Sequence, residues 1–248
     1  MIYSSTLTLA MQSALLLASA GLTAWLLRRQ GAALRHYVWT LSLGLLLLLP
    51  LWPEQRFRVA VPIDRTASTQ IVVTPDDGPA RRNLDGVATL RNIWLAGVVM
   101  LLARIAVSHL RGAALLGGAA PWRHSASWGH TASRRHSASR RHTASLASGI
   151  AVPMVIGIVV PKILLPTDAV DWDADRLDAV LAHERMHILR HDLIWQLLAQ
   201  IACAVYWPNP LVWLAARLQH KECEQACDDG GVSAMMSARY RAPSCKRM

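Results

Sequence analysis

Cysteine is scarce in this sequence and is confined to its C-terminal part. The four residues are Cys203, Cys223, Cys227 and Cys245, and the hydropathy pattern assigns their region to the cytoplasm or the membrane. Disulfides are rare in reducing compartments. We therefore expect no disulfide framework, and the fold must depend on other interactions.

The sequence also has no basic residue ahead of its first long apolar run. A cleavable signal peptide carries positive charge before its apolar segment, whereas here Arg28 and Arg29 follow that segment. Nearly uncharged runs at 10–27, 37–52 and 94–103 approach the ~20 residues that cross a bilayer. The alternative is that these runs are buried helices of a soluble protein, but the first two runs are longer than ordinary core helices. We predict a transmembrane region over 1–110, with helices at about 8–27, 37–52 and 90–108.

Positive charge between the first two predicted helices sets the expected orientation. Arg28, Arg29 and Arg35 lie there, and such loops usually stay in the cytoplasm. The N-terminus and a loop over 53–89 are then external, and the chain after about residue 110 is cytoplasmic. We expect a multi-pass protein of the cell membrane.

A basic segment without regularly interleaved aromatic residues follows the third apolar run. It contains four hexapeptide repeats, RHSASW, GHTASR, RHSASR and RHTASL, over 123–146. No unit carries enough apolar surface to form a core, so residues 111–147 are predicted to be a flexible linker. Contact with anionic lipid headgroups and phosphorylation of the Ser and Thr residues stay open. No nucleic-acid-binding fold accompanies the repeat, so no direct contact with nucleic acid is expected.

The remaining sequence reads as short strands followed by helices. Short β-branched runs near 155–160 and 162–165 predict small strands, and the acidic run 171–178 suits a helix N-terminus. One helix is predicted from about 174 to 206, where Trp207-Pro208-Asn209-Pro210 forms a turn. A returning helix is expected from Leu211 to about Asp228. Residues 230–248 have no clear amphipathic period and are predicted to be an irregular tail.

An HExxH motif lies in the first of these helical patterns, at His183-Glu184-Arg185-Met186-His187. Histidines at i and i+4 share one helix face and can bind one Zn²⁺. Glu184 is then placed to act as general base toward a water molecule at the metal.

Two histidines leave a zinc site short of a third protein ligand. Position 193 is Leu, which excludes the metzincin pattern, and His191 would lie about 12 Å from His183 on a straight helix. Glu224 is the better candidate, because glutamate is rare in this chain and Glu224 lies on the returning helix. If Glu224 binds the metal, the stretch 193–214 must be a hairpin that dips into the bilayer and not a one-way span. A solvated face is the alternative reading of its row, which includes His220 and Asp228. Asp192 is assigned a structural role.

Cys223 and Cys227 are one helical turn apart and with His220 could form a separate site for a soft metal. Buried cysteine acting as a small hydrophobic residue is the commoner case. Tyr206 and His220 are the candidates for stabilising an oxyanion.

Together these residues resemble those of the BlaR/MecR-type membrane zinc metallopeptidases, which are antirepressor or signal-transducing peptidases with a gluzincin-like site. The matching segments are Val152-Pro153, Gly157, 161–166, 180–187, Arg190, Asp192, 207–213 and 224–229. Together with the preceding helices, the resemblance covers most of residues 1–229. The resemblance implies that His183, His187 and Glu224 bind zinc, that Glu184 is the general base and that Asp228 orients a ligand. Relative to the family pattern, the hexapeptide repeat looks like an insertion or expansion. The segment after Asp229 departs as a truncation, and β-lactam sensing is not carried over.

We therefore predict a mainly α, integral membrane protein. Its transmembrane helices precede a small α+β gluzincin-like zinc metalloprotease domain, over 148–229, that includes the helical hairpin. The predicted activity is zinc-dependent cleavage of a cytoplasmic protein in signal transduction. By resemblance, a transcriptional repressor is the leading candidate substrate. The alternatives are an inactive truncated remnant or membrane signalling scaffold, and a membrane-anchored binding protein that acts through the repeat.

Overall fold

The structure, a computed structural model, describes residues 2–51, 78–122 and 144–241. Its described part is mainly helical, as predicted, with a small four-stranded sheet. Six α-helices and the strands follow the order α1, α2, α3, β1, β2, β3, β4, α4, α5 and α6.

The first two helices are joined by a tight turn and pack against each other. α1 spans Ile2–Leu26, a 3-10 turn follows at Leu27–Arg29, and α2 spans Ala32–Leu48. α2 therefore begins earlier than the predicted 37–52, directly after Gly31. It ends earlier because a 3-10 turn containing Pro50 follows it, and proline disrupts a continuing helix.

The third helix is far longer than predicted. α3 spans Gly78–Gly118, so residues 78–89, assigned to an external loop, are helical, and the predicted bounds of 90–108 were wrong. Pro79 suits the first turn of a helix, and the mostly polar residues 81–85 lie in the helix ahead of its apolar part. Residues 52–77 lie outside the described part of the chain.

Two described helices are long and apolar enough to cross a membrane. The candidate spans are Ala10–Arg29 and Ala88–Gly118. α2, with 17 residues, is shorter than a usual span, and a third span would require α4 and α5 to count as one bent element. Large apolar side chains such as Leu15, Val99 and Leu110 are exposed on these helices, as expected for surfaces that contact lipid.

The sheet has the strand order β1-β2-β4-β3. Its strands are Ala120–Trp122, Ala144–Ala147, Met154–Ile156 and Lys162–Pro166. β2 pairs parallel with β4, and the outer strands β1 and β3 pair antiparallel. β2 and β4 pack against α4 through a cluster of buried residues: Ala144, Ile163, Leu165, Ala169, Leu177 and Ile188.

Two predictions about this region were wrong. The flexible linker 111–147 contains the end of α3, β1 and β2, and its residues 123–143 lie outside the described part. β2 is ordered because its buried side chains pack in the cluster below the sheet. The strand predicted at 155–160 ends at Ile156, because Gly157 adopts a positive φ of 100°, and Val159 and Val160 are exposed.

The predicted single helix from 174 to 206 is broken. α4 spans Ala174–Leu189 and α5 spans Asp192–Val205, with a bend of 61° between them. His191 adopts the left-handed conformation at the break, with φ of 57°. The predicted acidic start of α4 is confirmed, since the Asp173 side chain accepts a hydrogen bond from the backbone N–H of Arg176.

The returning helix is also longer than expected. α5 ends before the predicted Pro-Asn-Pro turn, and α6 spans Pro210–Arg241, capped by the Asn209 side chain that accepts from the N–H of Leu211. The prediction of an irregular tail from 230 was therefore wrong up to Arg241. Gly230 and Gly231 weaken a helix by only about 1 kcal/mol each, and both glycines lie against α4, where packing offsets that cost.

A second core joins the helices. Its buried residues come from α1, α2, α5 and α6: Leu17, Ala20, Ala24, Trp39, Leu43, Leu46, Ala199, Ala202, Cys203, Val212 and Ala215. The start of α6 and the end of α5 are thereby fixed against the first two helices. This packing holds α6 in place beside α4.

Candidate metal centre

Close packing of α6 against α4 brings the site together. Gly230 and Gly231 have no side chain at the contact, and a Cβ at Gly230 would lie 2.5 Å from Cε of Met186. A Cβ at Gly231 would lie 3.7 Å from the backbone nitrogen of His183. The backbone of α6 therefore approaches the HExxH turn of α4 directly.

His183, His187 and Glu224 converge at this contact. The Nε2 atoms of the two histidines are 3.2 Å apart. Glu224 places Oε2 3.6 Å from His183 Nε2 and Oε1 3.8 Å from His187 Nε2. The structure thus brings together the three residues that the sequence suggested as zinc ligands.

The spacing of these three donors fits a zinc ion. Two ligand atoms at Zn–N or Zn–O distances of about 2.1 Å with tetrahedral angles lie roughly 3.4 Å apart. The observed separations of 3.2 to 3.8 Å bracket that value. Two imidazoles and one carboxylate also match the donor set of catalytic zinc sites, which leave one position for water or substrate.

Glu184 is buried beside the two histidines, with 8% of its surface exposed. Burial raises the pKa of its carboxyl above the ordinary value, and the neighbouring histidines oppose that effect. A carboxylate with a raised pKa is a stronger base than an exposed one. Glu184 therefore has the electrostatic setting of a group that accepts and returns a proton.

Each histidine has a carboxylate at its other ring nitrogen. Oδ1 of Asp228 lies 2.9 Å from Nδ1 of His183, and Oδ2 of Asp192 lies 3.0 Å from Nδ1 of His187. Such contacts fix the tautomer and ring orientation of metal-binding histidines. In both rings, Nε2 is thereby left to face the centre of the site.

The pKa values of the ionisable groups in the site depend on their contacts with one another. The contact with Glu224 raises the pKa of His183, and the same contact lowers the pKa of Glu224. Burial alone would lower the pKa of His187, but its hydrogen bonds with Asp192 and Cys227 outweigh burial and raise it to about 10. A cation must displace these protons to bind, so the affinity of the site for metal rises with pH.

Other residues named from the sequence lie elsewhere. The Tyr206 hydroxyl donates to the carbonyl oxygen of Leu46, and exposed His191 lies at the helix break. Nδ1 of His220 is 3.7 Å from Oε1 of Glu224, so His220 borders the site. Glu222 forms an ion pair with Arg35 at 2.7 Å and faces away from the metal ligands.

Sequence reasoning missed the contacts of Cys223 and Cys227 with His187. Sγ of Cys227 lies 3.3 Å from Nδ1 of His187, and Sγ of Cys223 lies 3.9 Å from it. The sequence suggested either a soft-metal site with His220 or, more commonly, buried cysteines that act as small hydrophobic residues; both thiols are buried and contact His187. The available signal was their helical row, which lies next to the row of Glu224 and Asp228.

A cavity of about 490 Å³ lies between α3 and the hairpin of α5 and α6. Its polar lining residues include Arg104, Gln196, Gln200, Arg217 and His220. His220 connects this cavity to Glu224. The cavity therefore borders the candidate metal centre at His220.

A helix-borne pair of histidines, a buried glutamate beside them and a glutamate from the next long helix define the donor set of a metal-dependent hydrolase. A model of the family described as BlaR1 peptidase M56 matches residues 6–242. The chain therefore belongs to the BlaR1 peptidase M56 family, which confirms the resemblance drawn from its motifs.

Characterised relatives match a shorter part of the chain. The methicillin resistance mecR1 proteins of Staphylococcus aureus and Staphylococcus epidermidis are each 34% identical to it over 85 residues. That stretch is 34% of this chain and 14% of each relative. The regulatory protein BlaR1 of Bacillus licheniformis is 37% identical over 76 residues, 31% of this chain and 13% of the relative. The matched stretch is thus a small part of each relative's own length.

Proposed function

We propose that this chain is a membrane-embedded zinc endopeptidase that cleaves a cytoplasmic protein in signal transduction. The observation that carries the proposal is the convergence of His183, His187 and Glu224 with spacings of 3.2 to 3.8 Å. By analogy with relatives named as regulatory and resistance proteins, a transcriptional repressor is the leading candidate substrate.

The ligand residues and Glu184 have distinct roles in this proposal. His183, His187 and Glu224 hold the zinc ion, which when bound polarises the scissile carbonyl and acidifies water. Glu184 takes a proton from the attacking water and passes it to the leaving amine. Asp228 and Asp192 keep the two imidazole rings oriented throughout.

An extended peptide has a suitable edge on which to bind. Among the described residues, β3 has β4 as its one strand neighbour, so its other edge is available to a substrate strand. α4 contacts β3, which keeps this edge near the HExxH helix. Backbone pairing along β3 would hold a substrate in the extended form that strand addition requires.

A contact between α6 and the first turn of α2 supports the proposed cytoplasmic position of the site. Arg35, in the first turn of α2 and close in sequence to Arg28 and Arg29, forms an ion pair with Glu222, two residues before Glu224. The Arg-rich turn and the metal ligands therefore lie at the same depth. Under the positive-inside rule, both face the cytoplasm.

The test combines zinc content with proteolysis of labelled casein by the detergent-purified full chain. Glu184→Gln should keep zinc but lose at least ~100-fold in turnover, because general-base catalysis contributes about that much. Glu224→Ala should lose one zinc per chain relative to the native protein, and hydrolysis should fall with it.

Asp229→Asn is the matched control, because Asp229 is an acidic residue on the same helix whose side chain is exposed. It should keep zinc and hydrolysis at native levels. Undiminished hydrolysis by Glu184→Gln would contradict the proposed mechanism. A native chain that takes up no zinc and cleaves nothing would favour the alternative of a non-catalytic membrane scaffold.

A further inference from the structure

Four side chains with metal-binding atoms form a second cluster behind His187, on the side opposite to Glu224. We call it the thiol cluster, and it consists of His187 Nδ1, Asp192, Cys223 and Cys227. All four residues are buried, and their ligand atoms lie within 4.8 Å of one another. Asp192, Cys223 and Cys227 have no exposed surface at all.

The spacing within the thiol cluster approaches that of a tetrahedral metal site. Sγ of Cys227 is 3.3 Å from His187 Nδ1 and 3.2 Å from Asp192 Oδ2. Nδ1 is 3.0 Å from Asp192 Oδ2 and 3.9 Å from Sγ of Cys223. With Zn–S near 2.3 Å and Zn–N near 2.0 Å, tetrahedral neighbours lie roughly 3.5 Å apart. These four separations, of 3.0 to 3.9 Å, therefore lie within about 0.5 Å of the value for a bound ion.

The charge around the cluster suits a cation bound by two thiolates. A divalent ion with two thiolates and one carboxylate carries a net charge of −1, which a buried site must balance. Arg190 supplies +1, with Nε 3.4 Å from Asp192 Oδ1 and its side chain 12% exposed. Its Nη2 is buried and has no hydrogen-bond partner in the described part of the chain.

Orientation of His187 alone does not account for both thiols. Asp192 already satisfies the Nδ1 position of the ring, and a buried cysteine in an ordinary core contacts apolar neighbours. Here Cys227 instead contacts a carboxylate and an imidazole. Two sulfur donors with one nitrogen and one oxygen donor favour a thiophilic ion.

We propose that the thiol cluster binds a thiophilic divalent cation, such as Zn²⁺ or Cd²⁺, through Cys223, Cys227, Asp192 and Nδ1 of His187. Binding expels the protons of both thiols and of Nδ1 to solvent. The site uses the nitrogen of His187 that faces away from Glu224, so it requires neither Glu224 nor peptidase activity. An ion there would also take Asp192 from its contact with Nδ1 and so alter the orientation of His187.

The test is a Cd²⁺ titration of the detergent-purified full chain, followed by ultraviolet thiolate-to-cadmium charge-transfer absorbance. The native chain and Glu224→Ala should both show the band, while Glu224→Ala should bind one Cd²⁺ fewer. Cys223→Ser with Cys227→Ser should abolish the band. Cys203→Ser with Cys245→Ser, the matched control, should keep it.

Absence of the band from the native chain, or its loss in the Cys203 and Cys245 control, would overturn the proposal. If the Cys223 and Cys227 variant does not fold, X-ray absorption of Glu224→Ala with one Cd²⁺ replaces it. Two sulfur neighbours are then expected, and a shell of only nitrogen and oxygen would overturn the proposal. Failure of the His183, His187 and Glu224 site would be seen separately, as no difference in Cd²⁺ uptake between native and Glu224→Ala.

Discussion

His187 connects the two sides of the site through its two ring nitrogens. Nε2 faces His183 and Glu224, and Nδ1 faces the buried carboxylate of Asp192. Residues five apart on a straight helix point about 140° away from each other and cannot make such a contact. The break between α4 and α5 turns Asp192 back onto His187, so the bend is part of the construction of the site.

Asp228 provides the corresponding contact for His183, and its loss should weaken metal binding. The carboxylate lies 2.9 Å from Nδ1 of His183. Removing such a partner typically lowers metal affinity by 10- to 100-fold, because the imidazole loses its orientation and basicity. We expect Asp228→Asn to lower zinc affinity by roughly that factor, measured by competition with a chromogenic chelator.

Asp229→Asn is the control for this prediction, since its exposed side chain is adjacent in sequence and makes the same change in formal charge. It should leave zinc affinity within about twofold of the native value, because exposed charges act weakly through solvent. Equal effects of the two substitutions would mean that net charge, rather than the contact with His183, determines affinity.

At the scale of the elements, the sequence was most informative where local patterns act alone. The HExxH helix, its acidic start and the Pro-Asn-Pro turn follow from helix periodicity, capping and proline. The break at His191 could not be predicted, because no Gly or Pro marks it and the contacts that accompany it join Asp192 to His187 and to Cys227 of α6. The extension of α6 past Gly230 likewise depends on packing against α4, which local propensity does not contain.

α3 packs closely on the turn between α5 and α6 at Gly97, a residue without a side chain. A Cβ at Gly97 would lie 2.5 Å from Nε1 of Trp207, and that nitrogen donates to the carbonyl oxygen of Trp94. Trp94 in turn donates to the carbonyl oxygen of Val205. The Trp207 ring is thus tied to α3 by its own hydrogen bond, and the Trp94 ring ties α3 to the end of α5, so Trp207 cannot easily move aside.

Gly97→Ala should therefore destabilise the helical part of the protein. Overpacking costs about 1–3 kcal/mol, against a gain of up to ~1 kcal/mol in helix propensity. We expect a lower thermal midpoint in detergent, followed by circular dichroism at helical wavelengths.

Gly117→Ala provides the comparison within α3, because a Cβ there meets nothing within 4 Å. Its midpoint should stay the same or rise. If Gly97→Ala is as stable as Gly117→Ala, the contact between α3 and Trp207 does not contribute to the stability of the fold.

At the scale of the whole molecule, one ion pair links membrane orientation to the position of the site. Arg35 at the start of α2 contacts Glu222 and also donates to Gln225 on α6. Arg35 additionally donates to the backbone carbonyl of Gln30 in the turn after α1. The turn after the first candidate span and the segment around Glu224 are therefore held close together, and in a membrane they would lie at the same face.

This arrangement predicts that probes at Gln30 and Gln225 report the same side of the membrane. Both side chains are exposed, whereas Cys203, Cys223 and Cys227 are buried, so Gln30→Cys and Gln225→Cys in a Cys245→Ser background give readable labelling. Positive charge in the turn should hold both positions in the cytoplasm. A membrane-impermeant maleimide should then label each variant only after the cells are permeabilised.

Labelling of both variants in intact cells would mean that the orientation is the reverse of the one expected, while the fold is as described, because the two positions would still share a face. Labelling of only one variant in intact cells would contradict the contact of Arg35 with α6, and with it the packing that returns Glu224 to the histidines.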